Sequence, residues 1–219
     1  MTRTVKKPDV RRKEIVDAAR RLFLEHDYEK TSMNALIQEL NIAKGTVYHY
    51  FSSKEDLLEA VVDDLIDEDL KRKEALMASA EVRDLDALGK FHALLTMRAI
   101  AQGNEPILEE LHRPGNTVMH ARQLGRYVRM LAPLFASVVR QGCEEGVFTV
   151  EHPLEASEFL LAGVQFITDV GFYDWTNDDL SRRMKALGSI VESQLGAPRG
   201  SFDFLSSDDS AAGQPGKEN

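Results

Sequence analysis

From residue 44 to residue 54 the chain reads Lys-Gly-Thr-Val-Tyr-His-Tyr-Phe-Ser-Ser-Lys, a run in which most side chains carry a charge or a hydrogen-bonding group. No nucleophile is paired with a base in it, so its chemistry is recognition rather than catalysis. Lys44 brings a positive charge to the start of a short helix, where the first amide N–H groups also favour an anion. Gly45 removes a side chain and lets the backbone approach a partner closely. Thr46 offers a hydroxyl and a methyl, Tyr48 and Tyr50 offer phenols that reach phosphates, and His49 donates to a phosphate or a base edge. Lys54 adds a second cation at the start of the next helix. Together these groups suit the phosphates and groove edges of double-stranded DNA.

The elements that must hold this run are helical. Ile15, Ala18, Ala19, Leu22 and Phe23 recur at the spacing of one helix face, in a helix that should end near His26. Thr31 and Ser32 are both good N-caps for a helix of about two turns carrying Met33, Leu36, Ile37 and Leu40. Asn41 follows, and asparagine tolerates the left-handed turn conformation best after glycine. Residues 44–50 then form a second short helix, too polar on one side to be buried all round. Two short helices joined by a turn are a helix-turn-helix, whose second helix fits a major groove roughly 12 Å wide. Ser52 and Ser53 ahead of Glu55 and Asp56 start a long helix with Leu57, Leu58, Val61, Val62 and Leu65.

The sequence resembles the tetracycline-repressor (TetR/AcrR) family of bacterial transcriptional regulators. The resemblance is carried by Ile15-Val16-Asp17-Ala18-Ala19 with Leu22-Phe23, by Tyr28 to Met33, and by Lys44 to Leu57 (KGTVYHYFSSKEDL), over about the first 65 residues. It implies an N-terminal DNA-reading domain and a helical effector-binding and dimerisation domain, acting as a repressor released by a small molecule. It also adds Thr31, Ser32, Met33 and Val47 to the expected DNA contacts. Three positions depart from the pattern: Asn41 where glycine is common, Ala43 where a Ser or Thr usually caps the recognition helix, and Leu40 where alanine is frequent. The missing cap costs roughly 1 kcal/mol.

Farther along, Leu88, Phe91, Leu95 and Ala99 mark one helix, and Ile107, Leu108 and Leu111 a short one stopped by Pro114-Gly115. Val128, Leu131, Phe135, Val138, Val139 and Gly142 form an apolar stripe over four turns. Pro153 opens a helix to about Gly171 whose opposite faces are both apolar, so it should be buried nearly all round. Asn177 caps a helix with Leu180, Met184, Leu187, Val191 and Leu195. No strand is apparent. Residues 127–142 and 153–171 have the apolar character of a subunit interface, and a two-fold dimer would set two recognition helices roughly 34 Å apart, one DNA turn. The spacing does not choose between these helices and the pair 153–171 with 177–195.

The expected effector region combines His92 and Leu95 with His112, His120, Phe166 and Tyr173, near a further aromatic group of Phe172 and Trp175. No metal is expected, because the proline between His112 and His120 breaks the geometry a shared ligand would need. No cofactor is expected.

Charge is divided unevenly. The 219 residues carry a formal charge of −9, but residues 1–56 hold 11 Lys+Arg against 9 Asp+Glu, and residues 57–219 hold 16 against 27. Arg3, Lys6, Lys7, Arg11, Arg12 and Lys13 face only Asp9 in the first 13 positions, a basic arm able to supply local phosphate contacts on an acidic protein. HExxH, GxSxG and phosphate-binding glycine loops are absent, so an enzyme is disfavoured. A lone cysteine, Cys143, makes no intrachain disulfide. No apolar run spans a membrane and no leader is evident, which predicts a cytoplasmic protein. The reading is therefore an all-α chain with a basic arm (1–8), a helix-turn-helix DNA-binding domain (9–69), a helical effector-binding and dimerisation bundle (70–196) and a disordered tail (197–219). Its expected partners are an operator duplex, an effector and a second copy.

Overall fold

In a computed structural model, which describes residues 7–97, 100 and 102–206, all regular structure is helical. Nine α-helices follow one another among these residues: α1 (Pro8–His26), α2 (Met33–Leu40), α3 (Lys44–Tyr50), α4 (Lys54–Ala78), α5 (Ala87–Thr96), α6 (Glu105–Leu111), α7 (Thr117–Glu144), α8 (Pro153–Thr168) and α9 (Asn177–Leu195). The residues of the basic arm before Lys7, and those after Ser206, lie outside the described residues.

Local chemistry explains most helix ends. The Ser32 hydroxyl accepts the Ala35 N–H at 3.1 Å and starts α2. Asn41 stops it in the left-handed conformation, φ 48° and ψ 46°, and its own N–H bonds back to the carbonyl of Gln38. Ser53 caps α4 by accepting the Asp56 N–H, and Asp56 reaches back to the Ser52 N–H. α3 has no side-chain cap at Ala43, as its sequence implied. At α9 the cap is Thr176 rather than Asn177: Thr176 and Asp179 satisfy each other's N–H groups in a full capping box.

Two apolar clusters organise the chain. The first joins Ile15, Val16, Ala19, Leu22 and Phe23 of α1 with Leu36 of α2, Val47 of α3 and Leu57, Leu58, Val61 and Leu65 of α4. Each fully buried Leu, Ile or Phe contributes about 1.5–3 kcal/mol relative to exposure. This cluster also takes in Ile107 and Leu111 of α6 and Met119 of α7, so the hydrophobic core of the DNA-reading head continues into the second half of the chain. The second cluster brings Phe91 and Leu94 of α5 against Leu131, Phe135, Val138 and Val139 of α7, with Phe148, Leu187, Val191 and Leu195.

Three expectations change here. Residues 197–206 do not form a loose tail: Phe202 is fully buried beside Phe91 and Phe148, and Asp203–Ser206 make a 3-10 turn packed on α9. The 127–142 stripe points inward, because Leu131, Val138 and Val139 are core. α8, by contrast, is not buried all round. Phe159 is 66% exposed, Phe166 and Ile167 are also open, and so are Val170 just past the helix end and Ile190 of α9. Apolar periodicity on two faces cannot say whether the second face is covered by the same chain.

Candidate nucleic-acid interface and effector region

The recognition segment is held from behind. Val47 is fully buried in the head core, so it anchors α3 by packing and is withdrawn from any DNA contact. With Val47 inward, Lys44, Tyr48 and His49 are exposed, and the Lys44 ammonium lies 5.3 Å from the centre of the Tyr48 ring. Thr46 and Tyr50 are half-buried, and Tyr50 packs both on the core and edge-on to His49 at 5.1 Å. Gly45 is exposed near the start of the helix.

The preceding turn is fixed by backbone capture. Thr31 is buried, and its hydroxyl donates to the carbonyls of Leu22 at 3.1 Å and Asp27 at 2.9 Å, which ties α1 to the α2 entry. It is thus a structural residue and not a DNA contact. Ser32 is exposed with its hydroxyl occupied as a cap, and Met33 packs partly on the core. Lys54 turns back: its ammonium donates to the Tyr28 carbonyl at 2.9 Å and sits 4.0 Å from the Tyr28 ring centre. Burial and the neighbouring Glu55 carboxylate push the Tyr28 phenol far up, so it stays neutral beneath that cation. Lys54 fastens the start of α4 to the α1–α2 turn and remains half-exposed.

α4 links this head to the bundle through charge as well as apolar contact. Arg126 of α7 reaches Asp63 at 2.9 Å and Asp67 at 2.6 Å, and Arg122 reaches Glu59 at 3.2 Å. Arg113, just past α6, pairs with Glu29 of the α1–α2 turn at 2.5 Å and with Glu110 at 2.9 Å.

The expected effector residues separate into two places. His92 and Leu95 of α5 are exposed, and His92 packs edge-on to Phe204 at 4.6 Å, away from the others. His112, His120, Phe166 and Tyr173 do come together around Phe172. His120 stacks on Phe172 at 4.7 Å, and Phe166 lies 5.1 Å from Phe172 and 5.6 Å from Tyr173. The proline does not keep the two histidines apart: the 3-10 turn Pro114–Asn116 folds the chain so that their rings stand 4.7 Å apart. Asp169, which spacing gave no means of finding, joins them with Oδ2 at 2.9 Å from His120 Nε2. A separate groove of about 350 Å³ between α7 and α8 is lined by Leu124, Val128, Arg129, Glu158, Ala162 and Phe166, within the size range of small-molecule sites. Of the expected effector residues, only Phe166 lines it.

A short exposed helix on a helix-turn-helix scaffold, carried by a helical bundle, defines a DNA-binding transcriptional regulator rather than an enzyme. Residues 15–61 match the model of the tetR family of bacterial regulatory proteins, and residues 99–190 match that of the tetracyclin repressor-like C-terminal domain. The chain belongs to the tetR family. It is 27% identical over 179 residues to the HTH-type transcriptional regulator YfiR of Bacillus subtilis, covering 79% of this chain and 86% of that protein. Among solved structures it shares its fold with a TetR-family regulator of Pectobacterium atrosepticum at a TM-score of 0.62 and 22% identity, over 89% of this chain and all of the other. It shares the fold equally, at a TM-score of 0.62 and 18% identity, with RolR in complex with its ligand resorcinol, over 91% of this chain and 94% of the other. No helix among the described residues is long and apolar enough to cross a membrane.

Proposed function

We propose that the protein is a homodimeric repressor that holds a palindromic operator through two copies of α3 and releases it when a small molecule binds the bundle. The carrying observation is the open apolar face of α8, Phe159, Phe166 and Ile167, with Val170 exposed just past its end and Ile190 exposed on the neighbouring α9, in a chain that also presents an exposed recognition helix. Single exposed apolar residues are ordinary, whereas a contiguous set on neighbouring helices marks an interface. A second copy of the same face is the occupant that also supplies the second recognition helix a palindrome requires.

On this reading Lys44, Gly45, Thr46, Tyr48, His49 and Tyr50 meet the groove, with Ser32 and Met33 at its edge and Lys54 positioning the helix. The effector occupies the space beside α7 and α8, and the resorcinol-bound neighbour supports a small-molecule ligand in this fold. Because α7 grips α4 through Arg122 and Arg126, movement of α7 alters the direction of α4 and the spacing of the two α3 helices. Fluorescence anisotropy with DNA from the gene's own upstream region, at two salt concentrations, tests the DNA arm: saturable, salt-sensitive binding that survives competitor DNA is expected. Sedimentation equilibrium tests the dimer. A monomeric wild-type protein at micromolar concentration, or a Phe159→Glu variant as dimeric as wild type, rejects the α8 interface.

A further inference from the structure

We propose that His112, His120 and Asp169 form a binding site for a divalent transition-metal ion of the zinc class, a function separate from DNA reading. Three elements contribute one residue each: His112 is the C-cap of α6, His120 lies in the first turns of α7, and Asp169 is the C-cap of α8. One donor atom from each lies within 4.8 Å of the other two. His120 Nε2 stands 2.9 Å from Asp169 Oδ2, and His112 Nε2 stands 4.0 Å from the same oxygen. Around a tetrahedral ion with bonds of about 2.0–2.2 Å, neighbouring ligand atoms are about 3.4 Å apart. The two His–Asp separations reach that value with shifts of roughly half an ångström, and the His112–His120 donor pair starts within 4.8 Å.

The surroundings orient the donors as ligands are oriented in metal sites. Asp169 Oδ1 accepts the N–H groups of Gly171 at 2.7 Å and Phe172 at 3.2 Å, which leaves Oδ2 directed at the two imidazoles. Phe172 stacks on His120 with its plane tilted by 16°, fixing that ring. Such outer contacts hold ligands in place and raise affinity. Gly171 is what lets the backbone cross so closely: a Cβ there would stand 2.9 Å from a ring carbon of His112 and of His120. His120 and Asp169 are 4% and 9% exposed, and His112, at 28%, leaves the route by which an ion enters.

The donor set selects the metal. Two imidazole nitrogens and one carboxylate oxygen suit zinc and its neighbours, whereas calcium and magnesium take all-oxygen sites. Both imidazoles approach the same Asp169 oxygen, so a cation held among the three donor atoms would use their common aim. Three protein ligands leave a fourth position for water or for a donor atom of a bound molecule.

The test uses the full, untagged chain dialysed against a chelator, then titrated with zinc by calorimetry and with cobalt by visible absorption. One ion per chain is expected, with cobalt giving the d–d bands of a four-coordinate site. His112→Ala and Asp169→Asn should each weaken zinc binding at least 10- to 100-fold, with unchanged helical circular dichroism. Gly171→Ala, which keeps all three ligands, should weaken it as well, and His26→Ala/His152→Ala should not. The proposal is overturned if the wild type binds neither ion stoichiometrically, if His112→Ala binds zinc as tightly as wild type, or if His26→Ala/His152→Ala abolishes binding.

Discussion

The Asp69 carboxylate holds the Lys73 ammonium at 2.8 Å with no solvent on the acid and almost none on the amine. Arg72 reaches the other carboxylate oxygen at 3.1 Å, and Tyr127 of α7 donates its hydroxyl to the Lys73-bound oxygen at 3.4 Å. Burial, reinforced by the Asp69 charge, pushes the Tyr127 phenol far up, so it remains a neutral donor. The group lies where α4, leaving the DNA-reading head, passes under α7.

A buried charge deprived of its partner is far costlier than an exposed one. Asp69→Ala should therefore lower the free energy of unfolding by about 3–5 kcal/mol, read by urea denaturation. The double replacement Asp69→Leu/Lys73→Met, which removes both charges, should recover most of that loss. A single variant within about 1 kcal/mol of wild type would show that the pair is not desolvated as described.

Asn41 occupies a left-handed turn that a β-branched side chain resists. Asn41→Val should cost about 1–2 kcal/mol, while Asn41→Gly should match or exceed wild-type stability. Thermal unfolding of the three proteins in one buffer decides it, and equal midpoints for valine and glycine would contradict the turn geometry.

α3 lacks a side-chain cap at Ala43, whose backbone is already extended, φ −64° and ψ 139°. Ala43→Ser should gain roughly 1 kcal/mol in chemical denaturation by accepting an amide N–H of the first turn. A destabilised serine variant would mean that the turn leaves no room for the hydroxyl.

A methyl group at Gly142 would run into the Phe148 ring. Gly142→Ala should therefore destabilise the bundle by about 1–3 kcal/mol, with Phe148→Leu in the same chain relieving part of the strain. If the alanine variant melts with wild type, the close packing of α7 on the residue-148 loop is wrong.

Lys44 and Tyr48 stand exposed on α3, and on the proposed function both meet phosphates. Tyr48→Ala should weaken binding on operator and non-operator duplexes alike, and Lys44→Ala should in addition reduce the salt slope by about 1. Loss confined to one operator base pair would assign Tyr48 to base readout instead.

The sequence alone was enough to read the head and its ends. The Ile15 to Phe23 spacing, the left-handed Asn41 and a serine or threonine cap at the starts of α2 and α4 follow from groups close in sequence, whereas the choice of Ser32 over Thr31 and of Ser53 over Ser52 came with the structure. Tertiary structure decided what those rules leave free. It turned Thr31 and Val47 inward, left one apolar face of α8 uncovered, buried Phe202, and brought Asp169 to His112 and His120. Burial depends on which distant helix arrives opposite a face, and periodicity records only that a face is apolar. Likewise the meeting of three residues from α6, α7 and the end of α8 depends on how the bundle closes, which no spacing along the chain encodes.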